Sequence, residues 1–316
     1  MFGMFQGVVE NRNDPEKLGR VKVRVLGYHS PNKNELPTED LPWCHPIQPI
    51  TSAAMNGIGS TPLGPVEGTW VVGFFRDPEH QQLYFFGTIG GVPQSPANPE
   101  IGFSDPNGTY PLPEFIGEPS TNRLARNDGE ETIVNKKIEG IETILVPNGS
   151  FTFIPLMEPV SEYDAQYPYN HVYESESGHI KEIDDTTDNE RIHEYHTAGT
   201  FYEIDKDGNK STRVVGSNYE VVAGSNYVNV KGDVNLTIDT NCNTYIKGDW
   251  NIQVDGSKTE VVTGAVSETY KDTKTETVTG AVSETYEANQ TTNITGTLDL
   301  DASSEIDMDA GTINMN

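Results

Sequence analysis

Cysteine is nearly absent from this chain: 316 residues contain two, Cys44 and Cys242. Two distant thiols cannot build a disulfide framework or a zinc site by themselves, so both read as small apolar residues. Long apolar runs are missing as well. No stretch approaches the ~18 residues of a membrane-spanning helix, and Met1-Phe2-Gly3-Met4-Phe5-Gln6 lacks the charged and apolar regions of a signal peptide. That predicts synthesis and folding in a cytoplasm. Basic residues are scarce, 21 Lys+Arg against 48 Asp+Glu for a net charge of −27. Residues 1–95 hold 7 basic and 9 acidic residues, which leaves 14 and 39 for residues 96–316. Such a chain is repelled by phosphate backbones and anionic headgroups, which excludes nucleic-acid wrapping and polybasic membrane contact. Hydrophobic residues make up 34%, below the roughly 45–50% of globular domains (a figure that counts Gly), while Gly 30 and Pro 20 supply frequent turns. One compact body is not expected.

What is present falls into successive parts. From Met1 to about Val92 the pattern is short strands and turns. Arg20-Val21-Lys22-Val23-Arg24-Val25 alternates with period two and predicts a half-buried strand, valines on one face and cations on the other. Residues 68–75 and 83–89 are aromatic and β-branched, and Asp77-Pro78-Glu79-His80 between them predicts a hairpin. With Phe5–Glu10 this gives at least four strands, which suits a small closed barrel of the OB type over residues 1–92. Residues 93–168 hold 11 of the 20 prolines and predict an extended linker laid over a neighbour. Within it, Glu142–Val146 and Ser150–Ile154 around Pro147-Asn148-Gly149 predict a short hairpin.

The strongest pattern lies towards the C-terminus. Glycines fall at 216, 224, 232, 248, 256, 264, 280 and 296, all on one grid of eight, with Thr240, Asp272, Ala288 and Ser304 at the remaining points. Two residues before each point stand Val214, Val222, Val230, Ile238, Ile246, Val254, Val262, Tyr270, Val278, Tyr286, Ile294 and Ala302. Segments 258–270 and 274–286 are near-duplicates. A period of eight is too short for a helical repeat and contains no heptad. Glycine at each point marks a bend needing a positive φ or a close backbone approach, so each octad is one strand and one corner. One such strand has both edges open and buries essentially one Val or Ile, so it must stack with others. Three octads make a 24-residue triangular turn, built either by one chain winding as a solenoid or by three chains winding together. A one-chain solenoid would have a very thin core; three chains bring the column together from three sides and leave few free edges. A disordered acidic tail would not require twelve positions in register.

These features together resemble the central spike proteins of contractile phage tail baseplates, of the T-even type, and the related VgrG spikes of secretion systems. Leu18–Gly27, Gly68–Phe74 and Phe86-Gly87-Thr88-Ile89 look like the OB-fold opening of that family. Tyr167–His179, continuing through Ile180–Thr186 and Glu190–His193, is similar to the segment leading into the spike helix. The resemblance implies an all-β protein: an OB-fold barrel (1–92), a Pro-rich linker (93–168), a lead-in segment (169–213) and an intertwined three-stranded β-helix (214–316) in a homotrimer. The trimer core is then Val214, Val222, Val230, Ile238, Ile246, Val254, Val262, Val278 and Ile294. It further implies a tail hub protein at the OB-fold end, a location in the virion baseplate and transient contact with a host outer membrane. The T-even spike carries a lysozyme domain, which needs on the order of 150 residues. The 76 residues of 93–168 lack helical periodicity, so the muramidase is expected to be absent and the chain not to be an enzyme.

Other chemistry is weakly signalled. Asp128 and Glu130 are a carboxylate pair of the kind chance supplies among 48 acids. His193 and His196, at i and i+3 on a strand, point to opposite faces, so ordinary hydrogen-bonding histidines are expected and no metal, catalytic or cofactor site. Family members that bind iron near the tip use a His-x-His pattern, and no histidine follows His196. Asp205–Asn209 resembles a fragment of a calcium loop but predicts a solvated turn. The expected function is mechanical: a stiff needle driven through an envelope, with a VgrG-like spike or a trimeric fibre or adhesin shaft as alternatives. An adhesin calls for an aromatic-rich globular tip, whereas the repeats run almost to Asn316, which favours the needle. At the end, Ile306, Met308, Ile313 and Met315 form the expected tip interface, one that resembles spike ends receiving a conical PAAR-repeat protein.

Overall fold

The computed structural model describes residues 3–128, 143–148 and 152–313. They divide into two units, residues 1–242 and 243–316. Among the described residues, no helix is long and apolar enough to cross a membrane.

The first unit begins with five strands rich in Val and Phe: β1 Gly3–Asn11, β2 Val21–Val25, β3 Trp43–Pro46, β4 Trp70–Phe75 and β5 Leu83–Ile89. They close into a barrel in the order β1-β2-β3-β5-β4. Antiparallel pairing runs around the ring except at the closure, where β3 meets β5 in parallel through Cys44 and Leu83. Alternate side chains fill the interior: Phe5, Val9, Val21, Val23, Val25, Cys44, Val71, Phe75, Leu83 and Phe85 are buried together. Each Val, Leu and Phe among them contributes about 1.5–3 kcal/mol by leaving water. Gly73, at a register shift between β4 and β5, is required by space: a Cβ there would lie 2.1 Å from the Tyr84 carbonyl oxygen and 2.6 Å from the Phe5 ring.

β2 departs from the expected half-buried strand, because all five of its residues are buried. Its alternation is as read, but the polar face is covered too. Arg24 is fully buried against an equally buried Glu10, Nε to Oε1 2.6 Å, and donates to the Ser30 and Leu36 carbonyls at 2.6 Å. Thr38 Oγ1 donates to Glu10 at 2.7 Å. Part of the cover comes from the Pro-rich segment, which runs back across the barrel. Gly102 N donates to the Pro31 carbonyl at 2.7 Å, Lys33 Nζ to the Pro99 carbonyl at 2.8 Å, and the Phe103 ring stacks on Trp70. Gly102 passes so close that a Cβ would lie 2.0 Å from Arg24 Nε. The expected linker laid over a neighbour is, for residues 99–103, a strap on its own barrel.

The strap leads to a one-turn helix, α1 Arg123–Arg126, capped by the Asn122 side chain. A hairpin follows, β6 Thr143–Asn148 with β7 Thr152–Met157. The next five strands, β8 Asn170–Glu174, β9 Ile180–Asp184, β10 Arg191–Tyr195, β11 Phe201–Ile204 and β12 Lys210–Arg213, form an antiparallel meander with neighbours in chain order. Its tight turns are set by Gly178, Asp188, Gly199 and Gly208, all at positive φ. One face packs beneath Leu124 and Tyr163. The barrel and this sheet are tied by Arg12, whose guanidinium donates to both Glu176 carboxylate oxygens at 2.7 and 2.9 Å, while the Tyr110 hydroxyl donates to the same carboxylate.

Candidate functional site

From Val214 onwards the backbone is a series of extended stretches broken by two-residue bends at 215–216, 223–224 and so on to 303–304, one pair for each of the twelve grid points. The frame read from glycine spacing is therefore the frame of the chain. The cause of the glycines is narrower than expected. No grid glycine has a positive φ, and a Cβ at any of them would meet nothing within 4 Å of the single chain. Neither local conformation nor an intrachain neighbour demands glycine there.

The side chains of the array are uncovered. Val214, Val222, Val230, Ile238, Ile246, Val254, Val262, Val278 and Ile294 lie between 39% and 51% exposed. Residues on the alternate side are barer: Tyr219 at 87%, Val221 at 93%, Tyr227 at 90% and Tyr245 at 84%. The column is thus the more sheltered edge of a strand series that, among the described residues, forms no ladder with any other strand. Same-face neighbours two apart do interact, Lys258 with Glu260 at 2.8 Å and Lys274 with Glu276 at 3.7 Å. At the far end Ile306, Met308 and Ile313 are also about half exposed, and Met315 lies outside the described residues.

The residues weighed for chemistry are separated by the fold. Asp128 is held by Arg126, and Glu130 lies outside the described residues. His193 points into the sheet, fully buried, with Nδ1 2.7 Å from Glu182 Oε2, whereas His196 sits exposed in the following turn with its ring 4.4 Å from that of His179. Asp205 fastens its own turn by accepting from the Asp207 and Asn209 amides at 3.0 and 2.8 Å. A cleft of about 610 Å³ between strap and sheet is lined by Tyr110, Leu112, Phe115, Leu124, Ile180 and Tyr195, without a nucleophile beside a base.

The sequence reading missed a buried charge cluster in the meander. Arg191 bridges Glu182 at 2.7 Å and Glu203 at 2.9 Å, and Asn170 donates to Glu182 at 2.9 Å. Burial pushes the Glu182 carboxyl up, but the bond to His193, the charge of Arg191 and the Asn170 amide outweigh it, and the net shift is downward. The signal was the phase of alternation, since Ile183 and Ile192 fall on the face opposite Glu182, Arg191 and His193.

Residues 27–167 match the family described as the Gp5 N-terminal OB domain, a span from the end of β2 through barrel, strap and hairpin. Protein Gp5 of Vibrio phage KVP40 is 42% identical over 276 residues, covering 77% of this chain and 65% of that protein. The chain is a homologue of Gp5. A second relative, the pre-baseplate central spike protein Gp5 of Enterobacteria phage T4, is 54% identical over 112 residues, covering 34% of this chain and 20% of its own length. The chain thus spans less than two thirds of the length of the Gp5 relatives it matches. Its own barrel, and the near-complete lack of helix among the described residues, agree with the all-β, OB-opened architecture that the resemblance implied.

Proposed function

We propose that this chain is the central spike of a contractile phage tail baseplate, and that the array works as its needle. The observation that carries this is the repeat array itself: about a hundred residues in regular extended octads, with an apolar column left half bare and no ladder partner among the described residues, on a homologue of baseplate spike proteins. Strands with open edges and a bare column are completed by copies of themselves. Three copies wound in parallel would enclose Val214, Val222, Val230, Ile238, Ile246, Val254, Val262, Val278 and Ile294. They would also bring a neighbour's backbone against the grid glycines, where a single chain has open space. Stiffness follows, because bending must break many interchain hydrogen bonds at once.

The role is mechanical, without a catalytic step and without bound nucleic acid. Three copies at −27 each carry −81, which keeps the shaft soluble and discourages adhesion to the DNA and lipid it passes. The site of action is the virion baseplate, with transient contact at the host outer membrane. At the barrel end, the loop 47–66 has no charged residue and exposes Ile50, Met55, Ile58 and Leu63, a surface suited to a tail hub protein. At the other end Ile306, Met308, Ile313 and Met315 would seat a PAAR-repeat tip protein. Native mass spectrometry tests the reading: a trimer is expected, and a monomer at micromolar concentration would refute it. Pull-down of the tip protein by full-length protein but not by a chain lacking residues 311–316 tests the far end.

A further inference from the structure

The hairpin of β6 and β7 is fastened to the beginning of the array at two points. Glu158, the residue after β7, pairs with Arg213, and the Thr237 hydroxyl donates to the Leu145 carbonyl of β6 at 2.8 Å. Arg213 stands three residues before the grid point at 216 and Thr237 three before that at 240, so both hold the same place in their octads, on the side away from the Val and Ile column. They are 24 residues apart, three whole octads. In a triangular winding that is one full turn, which puts both fastenings on the same face, three strand spacings or about 14 Å apart. The hairpin itself calls for cover. Residues 143–157 contain no charged residue in a chain with 48 acids. Leu145, Phe153 and Met157 on one face, with Ile154 and Leu156 on the other, are about half exposed, whereas Val146 is buried. A two-stranded hairpin without further packing is marginal in water.

Resting on the three-copy reading above, we propose that this hairpin is a clasp laid across array strands of the two neighbouring copies. In three chains wound in parallel, each face of the prism takes a strand from each copy in turn. Between octads 209–216 and 233–240 of one chain, the ones that carry Arg213 and Thr237, the same face therefore holds octad 217–224 of one neighbouring copy and octad 225–232 of the other. The hairpin, tied at both edges of that gap, roofs the two strands that its own chain does not supply. The side chains of those octads fit the assignment. Tyr219, Val221 and Tyr227 stand on the outward side and are between 87% and 93% exposed in the single chain. Tyr245 and Val261 follow, and from 263 to 285 the same alternate positions hold Thr, Ser, Ala and one Lys. Large outward side chains are thus concentrated near the base, where the hairpin lies. Charge agrees as well, because copies of a −27 chain repel and an uncharged hairpin adds nothing to that repulsion.

Cross-linking of the full chain tests this. In a Cys242→Ser background, where the remaining Cys44 is fully buried, Ile154→Cys is combined with Tyr227→Cys, treated with a short bis-maleimide and run on a denaturing gel. Ile154 is the cross-strand neighbour of the buried Val146. The control combines Ile154→Cys with Thr275→Cys, at the same octad position six octads further along the sequence, and native mass is measured on both proteins. The expected result is covalent dimer and trimer from the first pair and monomer from the control, with both proteins trimeric. A trimeric protein whose first pair gives no more covalent dimer than the control overturns the clasp while leaving the three-copy spike standing. A native monomer overturns both. Glu158→Ala, which releases the fastening at Arg213, is expected to lower the yield of covalent dimer several-fold at unchanged native mass, and an unchanged yield overturns the two-point fastening.

Discussion

The barrel and the array are written in the same alternating β code, yet one is complete in a single chain and the other is not. In the barrel, β3 returns to β5 and closes the ring, so ten apolar side chains find each other within ninety residues. In the array, a bend every eight residues turns each strand away before it can pair with its neighbour in sequence, and the Val and Ile column stays 39–51% exposed. Alternation therefore specifies which face is to be buried. Chain curvature decides whether the same molecule can supply the burying partner, and in the proposed assembly other copies supply it for the array.

The two regions should break independently. The largest effect is expected from Ile246→Asp, which would place three carboxylates around one axis; each buried unpaired charge costs several kcal/mol, enough to abolish assembly while the barrel stays folded. A soluble, trimeric Ile246→Asp protein with unchanged heat resistance would sink the model. Next is Arg24→Ala, which strands the fully buried Glu10 carboxylate. It should remove about 3–5 kcal/mol of barrel stability in denaturant titration without altering subunit count. Gly73→Ala and Gly248→Ala sharpen the contrast. The first meets the Tyr84 carbonyl at 2.1 Å and should cost about 1–3 kcal/mol within the chain. The second meets nothing in the single chain, so any fall in melting temperature must come from a neighbouring copy.

A smaller effect is set by pH. The Glu182 carboxyl titrates below its ordinary value of 4.5 in the folded protein, so its contribution is fully present above pH 4.5 and is lost as pH falls through the lowered folded value. Thermal melts in that acid range should show a loss that Glu182→Gln lacks. The smallest concerns the tie between barrel and sheet. Hydrogen bonds from Arg12 and Tyr110 pull Glu176 down to about 2, so this tie also holds above pH 4.5 and fails as pH drops towards 2. The pair is partly exposed, so Arg12→Ala should cost less than about 1 kcal/mol and be detected as faster amide exchange in the turn at 175–179.

What was legible in the sequence was local. The bend frame, the valine alternation of β2 and the hairpin of β4 and β5 each follow from residues within a few positions of one another. What was hidden depended on distant chain. β3, Trp43–Pro46, has four residues and no alternation, and is held between β2, which pairs with it antiparallel, and β5, which pairs with it in parallel. The burial of Arg24 could not be read from its own strand, since Gly102 covers it from seventy-eight positions away on the strap. Positive φ at the grid glycines was one of two readings of the spacing, and the backbone removes it. Of the chemistry, His193 and His196 were expected on opposite faces of one strand, but β10 ends at Tyr195 and His196 stands in the turn after it, while the pairing of His193 with Glu182 needed the register of β9 against β10.

The two-residue bends make the array a ruler. Each octad carries its own corner, so inserting or deleting whole octads leaves every other column position in place, while a number that is not a multiple of eight pushes Val and Ile out of phase. The near-duplicate segments beginning at Lys258 and Lys274 are offset by sixteen residues, two whole octads. In the proposed three-chain shaft, length would change in steps of one strand spacing, ~4.8 Å, without a compensating change anywhere else. For the proposed needle, reach across an envelope of a given thickness would then be a matter of octad number.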